Sequence, residues 1–261
     1  MKGFLQEYGI IMVVVAVVLG MLAFGKTGYA KSIQDAILGS TDHIVETGEN
    51  ITKKQTGDII KIEGKEYIVI ERKEKDKVLV MNTKNARTDS FYDDAFDNRV
   101  RPDGQYSNTY ENSDADKYLE NTWYNYYLSP TMKAAIQPVN IKQVSYGTPA
   151  YGEEKNDTVY NTINRHVFLP SVEEIKTLID TSNPEKVKAF AADNDGNDMC
   201  GLWTRDSSQY APTYVMELDW WKSSGGLSSD SAHYNSLYIY PTFVIDLSKV
   251  DYTEVGHVDY K

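Results

Sequence analysis

The sequence predicts an α+β protein: an N-terminal transmembrane helix followed by a domain of short antiparallel strands with flanking helices. Three observations carry this expectation. Residues 9–24 run sixteen positions without a charge. Residues 57–85 alternate apolar and polar side chains with the period of two that belongs to half-buried strands. Ser171 followed three positions later by Glu174 sets a capping box ahead of helically spaced apolar residues.

The run from Gly9 to Phe24 reads GIIMVVVAVVLGMLAF, with Glu7-Tyr8 before it and Lys26 after it. At ~1.5 Å per residue it reaches roughly 24 Å, or about 27 Å with Tyr8 and Gly25 added, just short of the ~30 Å hydrocarbon core. Tyr8 and Lys26 suit the two interfaces, so the lipid bilayer is an expected partner through residues 8–25. Three readings stay open. A signal anchor retained in the mature chain comes first, and a cleaved secretory signal is second, with small residues at Gly28-Tyr29-Ala30. In the third, Lys2 to Gly9 and the Val/Ile/Leu run resemble the amino terminus of small Flp-type pilins, which carry a Gly, a Glu-Tyr pair and an apolar helix that packs into a filament. Cleavage after Gly3 would place Glu7 fourth in the mature chain, where that family has it fifth. Lys2 and the terminal amine oppose Lys26 and Lys31, so charge hardly orients the segment. A body rich in Tyr, Asn, Asp and Ser favours a single-pass protein with its domain extracytoplasmic.

This gives a transmembrane helix at 1–28, a helical stalk and linker at 29–56, a domain at 57–248 and a C-terminal tail at 249–261. Within the domain, residues 57–85 predict a three-stranded antiparallel meander, with Ile60, Ile62, Tyr67 and Val69 marking one buried and one wet face. Arg87 to Asn112 predicts a long ordered loop. Ser113 and Asp114 can cap a helix on which Tyr118, Leu119, Trp123, Tyr126 and Tyr127 share one face, a stripe that reads as core. Pro130 opens a short helix through Ile136, and Val139 to Val144 returns to strand alternation. A capped helix follows from Ser171 to about Asp180, then a second beginning at Asn183-Pro184, where Pro takes the first helical position. Strands close the domain near 200–205, 212–218 and 237–247, and Ser223 to Ser236 approaches low complexity.

This order, with its motifs, resembles a bacterial family of uncharacterised domains, the domain of unknown function 6273. The likeness spans roughly residues 57–248. It rests on G-x-x-I-x-I-x-G-K-x-Y-x-V-I from Gly57 to Ile70, Y-x-N-S-D-x-x-x-Y-L-x-N-x-W from Tyr110 to Trp123, and F-L-P-S-x-E-E-I from Phe168 to Ile175. Trp203-Thr204-Arg205 matches the family's W-x-R-S, and Tyr240 to Ser248 matches its closing R-P-A-x-x-I-D-L-S. Asp206 stands where the family has Ser, and Tyr240 where it has Arg. Such domains look like distant C-type-lectin-like folds, so the resemblance implies a C-type-lectin-like domain and surface display, and no reaction.

Composition narrows the chemistry. With 38 acidic against 27 basic residues, the net charge is −11 and no basic run is long enough to neutralise several phosphates, so no nucleic acid is expected as a partner. One cysteine, Cys200, closes no intramolecular disulfide and reads as a small core residue. No G-x-S-x-G, Cys/His or phosphate-cradling glycine motif occurs, and no catalytic residue is assigned. Asp193, Asp195, Asn197 and Asp198 cluster oxygen ligands around Gly196, the chemistry a Ca²⁺ ion needs, but without EF-hand spacing. No other cofactor is expected. Between Asp206 and Asn235, the residues Tyr210, Asp219, Trp220, Trp221, His233, Tyr234 and Asn235 combine stacking planes with hydrogen-bonding groups and form the expected ligand-binding set. The alternative is that Trp220-Trp221 plug the core. Arg205 reads as a buried ion-pair partner. The expected function is non-enzymatic binding or adhesion to an extracellular protein or glycan; the alternative is a self-assembling pilin-like or conjugation-apparatus subunit.

Overall fold

The computed structural model describes residues 54–82, 95–102, 104–146, 158–193, 201–211, 213–221, 225–234 and 237–261. The predicted transmembrane helix, its pilin-like alternative and most of the stalk therefore lie outside the described residues. Strands β1 (Asp58–Ile62), β2 (Lys65–Arg72) and β3 (Lys77–Asn82) form the antiparallel meander expected from residues 57–85. Glu63 and Gly64 join the first two with positive φ at both positions, 49° and 85°, the left-handed pair that matches the twist of a tight hairpin. The sheet extends to six strands in the order β12-β1-β2-β3-β11-β4, all antiparallel, through β4 (Ile136–Gln137), β11 (Thr242–Asp246) and β12 (Thr253–His257).

One wet face was expected of this meander, but only β1 keeps the alternation. Tyr67 to Ile70 and Val78 to Met81 are buried at every position, so the central strands are covered on both sides. Phe243 of β11 adds to this core, meeting Tyr67 edge-on at 5.4 Å between ring centroids and Trp123 at 6.0 Å.

Trp123 belongs to a helical stretch with an irregular middle. Helix α1 (Asp114–Lys117) is capped by the Ser113 hydroxyl, which accepts the Asp116 N–H at 3.0 Å. It runs into a π-helical segment, Tyr118–Trp123, and closes as α2 (Tyr124–Tyr126). The wider π turn shifts the phase of everything after it. Leu119 and Trp123 are buried, whereas Tyr126 is 81% and Tyr127 40% exposed, so the tyrosine stripe expected in the core is split.

After α3 (Pro130–Ala135), strands β5 (Val139–Tyr146) and β6 (Thr158–Arg165) pair along eight positions without a bulge, as a separate two-stranded sheet. Helix α4 (Val172–Leu178) carries both reciprocal bonds of the capping box: Ser171 Oγ accepts the Glu174 N–H at 3.1 Å and Glu174 Oε2 accepts the Ser171 N–H at 2.9 Å. Helix α5 (Pro184–Asp193) opens with its proline. A four-stranded sheet completes the domain in the order β10-β7-β8-β9: β7 (Gly201–Ser207), β8 (Tyr214–Asp219), β9 (Gly226–Ser231) and β10 (Leu237–Tyr238), with β10 on β7 the one parallel pair among the described strands.

The α+β expectation, a transmembrane helix followed by a C-type-lectin-like domain of short strands with flanking helices, is corrected by this architecture. The described residues are mostly β, in three sheets, because a segment given no element, a low-complexity stretch and a tail are strands β6, β9 and β12. No helix among the described residues is long and apolar enough to cross a membrane. Residues 249–261 are no detached tail. β12 pairs with β1, His257 Nδ1 lies 2.8 Å from Asp58 Oδ1, and Ile179 bridges to Tyr260. Gly57 makes this closure feasible: it sits at φ +92°, and a Cβ there would stand 2.1 Å from the Val258 carbonyl oxygen.

Candidate functional site

Strand β7 is buried at all seven positions and brings Arg205 and Asp206 against β5 and α4. Arg205 donates from Nε to the Lys142 carbonyl at 2.7 Å and from Nη1 to the Leu169 carbonyl at 2.8 Å. Both terminal nitrogens grip the Glu174 carboxylate, at 2.6 and 2.9 Å, and the guanidinium lies 5.3 Å from the centre of the Phe168 ring. Asp206 accepts the N–H of Val172 at 2.7 Å and that of Val144 at 3.3 Å. The two neighbours thus rivet the inner edge of β5 to the first turn of α4.

Their electrostatics differ. Burial works against the Glu174 carboxylate, yet the Arg205 charge and hydrogen bonds, with the Ser171 N–H, hold it below the usual carboxylate range. Burial pushes the Asp206 carboxyl up, against the Arg205 charge and the two backbone donors that favour its ionised form. Every oxygen of both carboxylates is engaged, so this pair is committed to holding the fold.

Beside the rivet a cavity of about 520 Å³ opens between β5–β6, the start of α4 and β7, within the range of small-ligand sites. Tyr160 and Tyr210 both line it and both remain about two-thirds exposed. Gln143, Asp206 and Ser207 supply buried polar lining. Gln143 accepts the Glu111 N–H at 2.9 Å through Oε1, while its fully buried Nε2 has no hydrogen-bond partner. Two cations, Lys142 and Arg205, balance two carboxylates, Glu173 and Asp206, so the lining carries no net formal charge. A second cavity of about 630 Å³ shares Lys142 and Arg205 and opens toward Lys73, Glu74 and Lys77, where Lys77 is paired with Glu74 at 2.8 Å.

The ligand-binding set expected from sequence does not converge. Tyr210 lines the cleft. Asp219, Trp220 and Trp221 stand at the far end of β8, whose six residues span about 17–20 Å. Asp219 is buried and accepts the Trp221 N–H at 2.9 Å. Trp220 is buried, stacked at 6.2 Å on Tyr238 and near Phe190, whereas Trp221 is 70% exposed. The core-plug alternative thus describes Trp220 alone. At the Tyr214 end, His233 packs on Tyr106 at 4.2 Å between ring centroids, and Tyr234 stays partly exposed. Asn235 lies outside the described residues, as do Cys200 and, of the calcium set, Asp195, Asn197 and Asp198. Asp193 is described, and its carboxylate accepts the Tyr260 hydroxyl at 2.9 Å. Among the described residues no three His, Cys, Asp or Glu side chains gather as a metal site.

Sequence reasoning missed Gln143, Tyr160, Ser207 and Gln209 as cleft residues. The one available signal was the T-V-Y-N-T-I-N-R run from Thr158, strand-forming in composition but with only Val159 and Ile163 as aliphatic residues.

Comparison with curated proteins and with solved structures returned no match. A family model described as "Domain of unknown function (DUF6273)" matches residues 75–247, which leaves the opening Gly57–Ile70 motif outside the matched range. With more than half of its length matched, from β3 through the Arg205–Asp206 rivet to β11, the chain belongs to the DUF6273 family.

Proposed function

We propose that this chain is a non-enzymatic binding protein, tethered to a membrane through its uncharged run at residues 9–24, that captures a neutral saccharide of an extracytoplasmic partner in the cleft beside Arg205 and Asp206. The observation that carries the reading is the placement of two largely exposed tyrosines, Tyr160 and Tyr210, on one cavity with a polar, charge-balanced lining. Exposed aromatic planes stack on the apolar faces of sugar rings, and the exposed Gln209 amide and the two phenol hydroxyls suit hydroxyl-rich edges. A balanced lining selects against phosphorylated or strongly charged ligands. The buried carboxylates nearest the cleft, Asp206 and Glu174, are held by backbone N–H groups and by Arg205, which favours binding over acid–base chemistry.

The test is a screen of immobilised neutral and anionic glycans with the full chain in detergent micelles, followed by titration of any hit. Tyr160→Ala and Tyr210→Ala should each weaken a neutral glycan by about tenfold, the worth of one aromatic contact. Both residues are exposed, so neither change should unfold the domain. A hit insensitive to both changes but abolished by Trp221→Ala would overturn the assignment to this cleft.

A further inference from the structure

Strand β6 has a backbone edge that nothing among the described residues covers. In an antiparallel ladder, alternate residues turn both their N–H and C=O toward one side. Lys142 gives its carbonyl to Arg205 and Val144 gives its N–H to Asp206, so both turn away from β6. Their register partners, Thr162 and Tyr160, must then turn away from β5. The Asn164 carbonyl, taken by Arg165 Nη1 at 2.8 Å, lies on that same outer side. Thr158 to Thr162 are exposed at every position, with Val159 at 52%. The devices that blunt a free edge are missing: residues 158–164 hold no charge and no proline, and the ladder has no bulge.

We propose that this edge pairs with β6 of a second copy of the chain, antiparallel about a two-fold axis through Asn161. That register is self-complementary. It sets Tyr160 opposite Thr162 of the partner as a hydrogen-bonded pair, and Thr162 opposite the partner's Tyr160, so the outward groups satisfy one another. It also sets Val159 against the partner's Ile163, covering an exposed aliphatic side chain. Charge permits this occupant: residues 158–164 hold no ionisable side chain save the Tyr160 phenol, so the edge itself sets no like charges face to face, and the carboxylate that reaches it, Glu111, is engaged by the Asn161 side-chain amide at 3.0 Å. The product is a four-stranded sheet, β5-β6-β6-β5, that carries both Tyr160 rings on one face. The inference stands on the backbone alone and survives failure of the saccharide reading.

On the axis, Asn161 faces its own copy as a non-hydrogen-bonded pair, with Cα atoms about 4.5 Å apart, within reach of a disulfide. Full-length Asn161→Cys, oxidised mildly in detergent, should give a disulfide-linked dimer that mass spectrometry maps to position 161 and not to Cys200. Adding Thr162→Pro removes an N–H that points outward and leaves the β5 ladder intact, and should cut the linked fraction by about tenfold. Asn161→Asp sets like charges together on the axis, each beside a Glu111 carboxylate, without touching the backbone, and should shift the sedimenting species from dimer to monomer. Monomeric Asn161→Cys, equal linkage with and without Thr162→Pro, or equally fast linkage through Asn164→Cys would each overturn the proposal. Monomer from which Thr162→Pro releases a co-purifying peptide would overturn it in favour of a foreign strand.

Discussion

Arg205→Met is the most incisive test of the architecture. It keeps the length and apolar stem of the side chain and removes only the guanidinium. Arg205 is 4% exposed and serves the Glu174 carboxylate through two bonds, with two more to the carbonyls of Lys142 and Leu169. Breaking one side of such a buried pair costs about 3–5 kcal/mol, because the remaining charge is left without compensation. In a domain of this size about 4 kcal/mol lowers Tm by roughly 8–16 °C. The assay is equilibrium unfolding of the full chain followed by fluorescence of the buried Trp123 and Trp203. Arg205→Met with Glu174→Met should recover much of the loss, since an apolar pair of similar volume can replace a buried ion pair. The pH dependence has a definite sign. A carboxylate whose folded pKa is depressed contributes stability above its ordinary value of 4.5 and loses it as pH falls through the folded pKa, so the cost of Arg205→Met should shrink on acidification. A loss below about 1 kcal/mol, the worth of a surface pair, would refute the rivet.

Two further outcomes follow from the same structure. Gly57→Ala should cost about 3 kcal/mol or more in the same unfolding assay, since it combines a left-handed φ with a Cβ set 2.1 Å from the Val258 oxygen, and it should expose the β1–β12 seam to amide hydrogen exchange before the rest of the sheet. Asp206→Asn should show the opposite pH signature to the Glu174 pair. The raised folded pKa of Asp206 contributes stability that is fully present below its ordinary value of 3.8 and is lost as pH rises through the folded pKa, so the deficit of the variant should be largest below pH 3.8 and narrow as pH rises above it, as read from Tm against pH.

Local chemistry was legible in the sequence wherever it is short-range. The capping box at Ser171 and Glu174, the proline opening α5 and the meander at β1–β3 each depend on residues within a few positions of one another, and each forms. What failed is a local irregularity and the long-range pairing of strands. The stripe through Tyr126 and Tyr127 assumed 3.6 residues per turn across a segment that is π-helical, a widening that spacing alone does not announce. β6 carries little apolar alternation because almost all of it faces water, and β9, Gly-Leu-Ser-Ser-Asp-Ser, owes its strand conformation to six register partners on β8. β12 looked like a tail because its partner β1 lies near the other end of the domain.

The cleft escaped the sequence for a related reason: its walls come from positions near 143, 160, 171 and 206–210, and only the last group lies in the stretch whose composition drew notice. Arg205 was legible as an ion-pair partner because a cation amid apolar residues must be compensated, but its actual reach, to the backbone of β5 and the capping residue of α4, depends on tertiary placement. That placement bears on function. Arg205, Asp206 and Glu174 are the strongest charges near the cavity, and the fold occupies all of them. The groups that remain for a ligand are the two tyrosine faces, the Gln209 amide and the exposed side chains of Lys142 and Glu173, the last paired with Lys176 at 3.2 Å, which provide stacking and orientation. A site whose buried ionisable groups hold the walls while two aromatic planes stay exposed offers a stacking surface, and this division of labour is the argument for the binding proposed at this cleft.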